Sequence, residues 1–280
     1  MQNTNEIKRM VREKYSEIAL QDKETNASSC CGGSCCSTEV YNIMTDDYTQ
    51  LEGYVPGADL GLGCGLPTEF AGIRKGDIVV DLGSGGGNDC FIARNETGAE
   101  GKVIGIDMTE AMIALARKNA EKMGFHNVEF RLGDIEELPV NDAIADVIVS
   151  NCVLNLVPEK EKAFAEMFRV LKPGGHFSVS DIVLSGALPD NIRHAAELYA
   201  GCISGAEERT SYLQKVRDAG FKQVKVQKEK DIRVPDDILL QYISPEDLAD
   251  FRNSGVGIFS ITVYGEKEKA KDCCGPECCN

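Results

Sequence analysis

The sequence predicts an α/β fold in which helices cover both faces of a doubly wound, mostly parallel sheet. From Asp77 onward, short apolar runs alternate with segments of helical periodicity, which is the pattern of strands joined by crossover helices. A glycine-rich turn follows the first apolar run, and acidic residues stand where the first runs end. A cysteine-rich segment lies near each end of the chain, at residues 30–36 and 273–279.

The composition limits the kinds of partner. Acidic residues outnumber basic ones 45 to 30 among 280 residues, and the net charge of −15 disfavours binding to nucleic-acid phosphates. No apolar run approaches the roughly 20 residues of a membrane span, and the first residues lack the apolar part of a signal peptide. We therefore expect a cytoplasmic protein that binds no nucleic acid and no membrane. In that setting, 12 cysteines indicate metal, metalloid or redox chemistry rather than a disulfide framework.

Seven strands and six helices are predicted from the spacing of apolar residues and from turn signals. The predicted strands are 78–80, 103–107, 128–132, 146–153, 176–184, 223–228 and 258–266. The predicted helices are 6–20, 88–95, 110–123, 158–171, 188–200 and 212–219. Thr109 is expected to cap the helix that Gly124 ends, and residues 172–175 are expected to turn into the fifth strand.

Changes in composition and in the alternation of predicted strands and helices divide the chain into five predicted segments. They are an N-terminal helix and cysteine-rich loop (1–40), a cofactor-binding core (41–184), an inserted substrate-binding region (185–212), a segment that completes the sheet (213–267) and a cysteine-rich tail (268–280).

The glycine-rich turn distinguishes between cofactor classes. It has the pattern D-x-G-x-G-x-G from Asp81 to Gly87, whereas a dinucleotide fingerprint would place its third glycine at Asn88. Glycines let the backbone turn sharply and approach a ligand, and the following helix presents unpaired N–H groups. The spacing resembles that of S-adenosylmethionine-dependent methyltransferases.

Candidate cofactor-binding residues lie at the carboxyl ends of the predicted strands, where open α/β sheets bind their ligands. Asp107 lies 20 residues after Gly87, a fitting distance for a carboxylate that binds ribose hydroxyls. Asp134 is placed to accept from an adenine amino group, although a single acid can equally be a cap or a solvated loop residue. The full set comprises Asp81, Gly83, Ser84, Gly85, Gly87, Asp107, Met108, Asp134, Ile135 and Asn151.

Three cysteines stand in loops or at strand ends. Cys64 lies between two glycines, Cys152 ends the fourth strand and Cys202 follows a glycine. Three thiolates near a methyl donor would bind a soft, thiol-seeking centre. Alternatively, the three cysteines are unrelated and each is simply a small buried apolar residue. That role is also expected for Cys90, which lies on a helix between apolar neighbours.

Five motifs resemble those of arsenite S-adenosylmethionine methyltransferases. They are Leu60–Gly65, Asp81–Cys90, Gly105–Thr109, Ser150–Leu156 and Ala200–Ala206, and the likeness extends from about residue 40 to 235. The resemblance implies a seven-stranded sheet of the class I methyltransferase type, S-adenosylmethionine as the cofactor, and Cys64, Cys152 and Cys202 as ligands of trivalent arsenic. It also implies a fourth, redox-active cysteine, either Cys35 or Cys36, and a thiol reductant such as thioredoxin or a small thiol.

The chain departs from longer members of that family because it ends soon after residue 267, so their extra C-terminal domain is not expected here. Leu66 also stands before Pro67, where a polar residue is expected. The two terminal clusters share the pattern C-C-x-x-x-C-C and are candidates for arsenite capture, thiol exchange or zinc binding.

The expected activity is methylation of arsenite and then of methylated arsenite. Positioning supplies much of the catalysis, because trivalent arsenic attacks through a lone pair and loses no proton. One alternative is a C-methyltransferase of the quinone-biosynthesis type, which would not use the three cysteines. A second alternative is a metalloid-binding protein without catalysis.

Overall fold

The computed structural model describes residues 4–21, 46–193, 203 and 205–269. The described strands are β1 (Ile78–Leu82), β2 (Lys102–Asp107), β3 (Val128–Leu132), β4 (Ala145–Asn151), β5 (Leu171–Leu184), β6 (Glu207–Glu208), β7 (Lys222–Asp231) and β8 (Ile258–Glu266). The described α-helices are Thr4–Ile18, Pro67–Ala71, Asn88–Thr97, Glu110–Met123, Lys160–Val170, Arg209–Asp218, Asp236–Leu239 and Pro245–Asn253. None of these helices is long and apolar enough to cross a membrane.

The strands form one open, mixed sheet in the order β3-β2-β1-β4-β5-β8-β7, with the two-residue β6 beside β5. The pairs from β3 to β5 are parallel, and β8 runs antiparallel to both β5 and β7. The order of the strands reverses between β1 and β4, so the ligand crevice is expected where these two strands end. The doubly wound, mostly parallel sheet predicted from the sequence is confirmed, with β6 as an additional strand.

The centre of the sheet is buried on both faces. Val79, Val80 and Leu82 of β1 are all fully buried, and they divide between two separate core clusters on opposite sides of the sheet. In β2, a Cβ atom on Gly105 would lie 2.7 Å from the ring of Phe130 and 2.8 Å from the Cys90 sulfur. The glycine therefore lets the helix after β1 pack closely on the sheet.

Three local predictions differ from the structure. Thr109 occupies the N-cap position, but its side chain makes no capping bond and binds Asp107 instead. Residues 172–175 belong to β5 and are not a free turn, because Gly174 and Gly175 form backbone hydrogen bonds with Lys267 beyond β8. The helices Pro67–Ala71, Asp236–Leu239 and Pro245–Asn253 were not predicted, although Ser244 and Pro245 form an ordinary helix start for the last of them.

A third core cluster lies beyond the carboxyl ends of β4 and β5. It contains Cys64, Cys152 and Ile203 together with apolar residues of the segment between β7 and β8. The predicted helix 188–200 falls partly in this region, and residues 190–193 are helical. Residues 188 and 189 precede the helix, and residues 194–200 lie outside the described residues. Most of the predicted segment 1–40 and almost all of the predicted segment 268–280 also lie outside them.

Candidate active site

The glycine-rich loop makes a tight turn directly after β1. Gly83 and Ser84 both donate their backbone N–H to the carbonyl of Ile106, at 2.8 and 2.9 Å, so the loop is joined to β2. Gly83 has a φ of 72°, and a Cβ atom there would lie 2.3 Å from a methyl group of Val153. Gly87 has a φ of 97° and precedes the helix Asn88–Thr97. The loop therefore brings backbone and a helix N-terminus to the end of the sheet.

A cleft opens above this loop and holds about 1050 Å³ of space, including the part that opens to solvent. The predicted site residues that line it are Gly83, Ser84, Gly85, Asp107, Met108, Asp134, Ile135, Asn151 and Cys152. Asp81 and Gly87 do not line it. Asp81 is 2% exposed within β1, and a side chain on Gly87 would meet Phe91, so both lie behind the wall of the cleft.

Asp107 at the end of β2 is held by backbone groups on both sides. One carboxylate oxygen accepts from the N–H of Gly85 at 3.0 Å and the other from the N–H of Thr109 at 2.9 Å. Burial raises the pKa of Asp107, and these two N–H groups counteract part of that effect. The orientation of the carboxylate is consequently fixed at the edge of the sheet where the sequence predicts a residue that binds the ribose.

Two polar atoms in the wall of the cleft have no hydrogen-bond partner among the described residues. They are the hydroxyl oxygen of Ser84 and the side-chain oxygen of Asn88, and both are buried. Buried polar atoms are normally paired. A polar ligand in the cleft would supply these missing partners.

Two further acids, Asp81 and Asp89, are buried close together at this end of the sheet. Burial raises the pKa of Asp89 to about 6, and burial together with the charge of Asp89 raises the pKa of Asp81 well above its usual range. The Cys90 thiol lies 3.1 Å from Asp81, and burial and that carboxylate raise its pKa as well. Cys90 is thus buried as predicted, but it also donates to a carboxyl group. A cation in the cleft would relieve the repulsion among these acids.

Several residues that line the cleft were not predicted from the sequence. They are Lys8, Val11, Tyr15, Tyr48, Asp59, Asn88 and Asp89. Asn88 and Asp89 begin the helix after the glycine loop, so their position in its first turn was a usable signal. The others come from segments before β1, which approach the cleft only through long-range packing.

Two of the three predicted arsenic-binding cysteines are adjacent. Cys64 and Cys152, which are 88 positions apart in the chain, are joined by a disulfide with their Cα atoms 5.7 Å apart. Their separation lies in the range that disulfides span, so the two expected arsenic ligands are here bonded to each other. Cys152 has a φ of 60° and donates its N–H to Ser180 at 2.8 Å, which fixes it at the end of β4.

The other predicted cysteines are not placed. Cys202, Cys35 and Cys36 lie outside the described residues. Ile203, the neighbour of Cys202 in the chain, is fully buried in the same cluster as Cys64 and Cys152.

The order of the strands, the glycine-rich loop and the cleft at the switch point define a class I methyltransferase, the class that uses S-adenosylmethionine. Residues 73–230 match the family model described as "Methyltransferase domain". An arsenite methyltransferase of Halobacterium salinarum is 40% identical over 95% of this chain and 68% of its own length. One from Aquipseudomonas alcaligenes is 33% identical over 82% of this chain and 66% of its own length. The chain belongs to the arsenite methyltransferase family.

A solved structure agrees with this assignment. The crystal structure of CrArsM, an arsenic(III) S-adenosylmethionine methyltransferase from Chlamydomonas reinhardtii, covers 85% of this chain and 76% of its own chain. The two are 29% identical, with a TM-score of 0.62.

Proposed function

We propose that this chain transfers the methyl group of S-adenosylmethionine to trivalent arsenic, first to arsenite and then to methylated arsenite. The observation that carries the proposal is the position of Cys64 and Cys152. They form a buried pair at the end of β4, and Cys152 itself lines the cofactor cleft. A soft metalloid bound there would lie beside the methyl donor.

The cleft has the chemistry that S-adenosylmethionine requires. The two unpaired oxygens, of Ser84 and Asn88, offer partners to its polar groups, and the acidic wall with Asp89 favours its positive charge. Asp107 would accept from the ribose hydroxyls, while Met108 and Ile135 supply apolar contact for the base. When bound, the cofactor supplies an electrophilic methyl group on a sulfonium sulfur.

The protein's own residues bind and orient the arsenic. Reduced Cys64 and Cys152 provide two sulfur ligands, and we propose Cys202 as the third. Arsenic(III) bound to sulfur keeps a lone pair, so no side chain has to remove a proton from the nucleophile. Thiols release protons when they bind the metalloid, and binding should therefore strengthen as the pH rises toward about 8.5, the ordinary pKa of a thiol.

The disulfide between Cys64 and Cys152 defines a redox requirement. It must accept two electrons and two protons before either sulfur can bind arsenic. Two molecules of a small thiol, or one dithiol protein such as thioredoxin, would supply them and become a disulfide in turn. We assign Cys35 or Cys36 to this exchange as the fourth redox cysteine. We further propose a cytoplasmic location, and the net charge of −15 disfavours binding to nucleic-acid phosphates and to anionic membrane surfaces.

The experiment is incubation of the chain with arsenite, S-adenosylmethionine and excess thiol, followed by separation of the arsenic species. Monomethylated and then dimethylated arsenic should appear with stoichiometric loss of the methyl donor. Binding of arsenite without any methylated product would favour the non-catalytic alternative. Methylation of a quinone precursor but not of arsenite would favour the C-methyltransferase alternative.

A further inference from the structure

The side-chain amide of Asn151 bonds to the backbone on both sides of the Cys64 side chain. Its oxygen accepts from the N–H of Cys64 at 3.0 Å, and its nitrogen donates to the carbonyl of Gly65 at 2.8 Å. Asn151 is also the residue directly before Cys152. One side chain thus connects the backbone of the first cysteine to the strand that carries the second.

The amide is itself held in this orientation. Its nitrogen also donates to the hydroxyl of Tyr48, and that hydroxyl donates to a carboxylate oxygen of Asp89 at 3.0 Å. Tyr48 is 6% exposed, so these bonds are shielded from water. A reversed amide would place its nitrogen against the N–H of Cys64, and the network therefore determines which way the amide points.

The space around the amide is equally restricted. A Cβ atom on Gly63 would lie 2.6 Å from the Asn151 nitrogen, and one on Gly65 would lie 2.5 Å from the hydroxyl oxygen of Ser180. A glycine-rich loop has much conformational freedom when nothing holds it. The contacts with Asn151 remove that freedom at Cys64.

We propose that Asn151 is a positioning residue that holds the Cys64 and Cys152 sulfurs within reach of each other, with Tyr48 and Asp89 fixing its amide. This inference rests on the proposed function and adds a positioning role at Cys64 to the sequence-based expectation that Asn151 binds the cofactor. Both polar atoms of the amide bond within the protein. Its contribution is to lower the entropy cost of bringing two thiols to one arsenic atom.

The test uses Asn151→Asp and Tyr48→Phe in the full chain. Asn151→Asp keeps the acceptor for the Cys64 N–H but loses the donation to Gly65, and Tyr48→Phe removes only the hydroxyl. Tyr54→Phe is the matched control, since its hydroxyl also bonds to an aspartate, Asp59, at 3.0 Å. Urea unfolding of each variant establishes that it is folded.

Three quantities are measured. The first is the equilibrium between the Cys64–Cys152 disulfide and glutathione, followed by mass spectrometry of the peptides that contain these two cysteines. The second is the affinity for monomethylarsenite, which needs only two thiols, and the third is the affinity for S-adenosylmethionine. The first readout involves no arsenic, so a failure of the proposed arsenic chemistry would be recognised separately.

Both variants should shift the disulfide equilibrium toward the dithiol and weaken monomethylarsenite binding by about tenfold, the equivalent of one hydrogen bond of about 1.4 kcal/mol. Their affinity for S-adenosylmethionine should fall by clearly less than tenfold, and Tyr54→Phe should leave the disulfide equilibrium and the affinity for monomethylarsenite unchanged. An unchanged disulfide equilibrium in both variants would overturn the inference. The inference would also be overturned if the affinity for S-adenosylmethionine fell as much as the affinity for monomethylarsenite.

Discussion

The ammonium nitrogen of Lys8 lies 2.6 Å from a carboxylate oxygen of Asp134, and this ion pair ties the N-terminal helix to the rim of the cofactor cleft. Lys8 also pairs with Glu136, and both Val11 and Tyr15 of the same helix line the cleft. The helix therefore covers part of the site, and it is attached both by Lys8, which is 17% exposed, and by apolar packing of Tyr15 and Ile18 against Leu60 and Met112.

Lys8→Met should weaken S-adenosylmethionine binding by roughly three- to tenfold, because partly buried charge-assisted hydrogen bonds contribute about 1 kcal/mol or more. The loss should appear mainly as faster dissociation of the cofactor, measured by calorimetry and stopped-flow displacement. Arg9→Met is the matched control, since Arg9 is 66% exposed and lies 3.9 Å from Glu13. An unchanged dissociation rate would mean that the helix does not retain the cofactor.

Asp107→Ala should reduce the affinity for S-adenosylmethionine by about 1.5–3 kcal/mol, the scale of a hydrogen bond to a charged group. The substitution also releases the N–H groups of Gly85 and Thr109, which the carboxylate now binds. Isothermal titration calorimetry measures the effect, with the exposed Asp142→Ala as the control. If the affinity does not change, Asp107 is not part of the cofactor site.

Cys152→Ser should abolish methylation of both arsenite and monomethylarsenite, because Cys152 is the cysteine that lines the cleft. Cys64→Ser or Cys202→Ser should lose affinity for arsenite while retaining some activity on monomethylarsenite, which has only two exchangeable positions. Cys90→Ser is the control, since a serine hydroxyl can replace the thiol that donates to Asp81. Methyl transfer to each substrate is the measurement, and full arsenite activity in Cys152→Ser would refute the proposed site.

Deletion of residues 271–280 should leave the single-turnover rate in excess thiol nearly unchanged. The four cysteines of this segment lie outside the motifs that resemble the catalytic region, and the segment is glycine- and proline-containing and charged. Multiple-turnover rates at low arsenite should fall if the segment captures the substrate. The control is the same deletion assayed at saturating arsenite, and a collapse of the single-turnover rate would place the tail in the active site.

Acidification from pH 7.5 to 5.5 should stabilise the fold through Asp181. Burial raises the pKa of Asp181 to about 7, despite the charge of Lys160 and the hydrogen bond from Ile182. The folded state therefore binds a proton more tightly than the unfolded state, whose pKa is about 3.9. Stability from this group is present at low pH and is lost as the pH rises toward 7, with a slope of at most about 1.4 kcal/mol per pH unit.

Urea unfolding at several pH values tests this expectation by comparing the unmodified chain with Asp181→Asn. The variant should lose part of the pH dependence between 5.5 and 7.5, whereas the exposed Asp218→Asn should keep all of it. Identical pH profiles for the unmodified chain and Asp181→Asn would show that the buried carboxyl group does not titrate in this range.

The sheet and the cofactor loop could be predicted from the sequence, because both depend on local signals. The predicted bounds of β3 and β8 match the structure residue for residue, since each is a short run with strand periodicity between clear turns. The turn from Asp81 to Gly87 was equally readable, because its glycines are required by backbone angles that other residues rarely adopt.

The combination of distant segments at the site could not be predicted from the sequence, because it depends on long-range packing. Lys8 and Asp134 are 126 residues apart in the chain, Asn151 and Tyr48 are 103 apart, and Cys64 and Cys152 are 88 apart. No local pattern encodes such contacts, since the same residue types serve elsewhere as surface lysine, strand-end asparagine or buried thiol. They arise because packing of the sheet and its helices brings strand ends and loops to one edge. Polar groups that become buried there must form hydrogen bonds or ion pairs with each other.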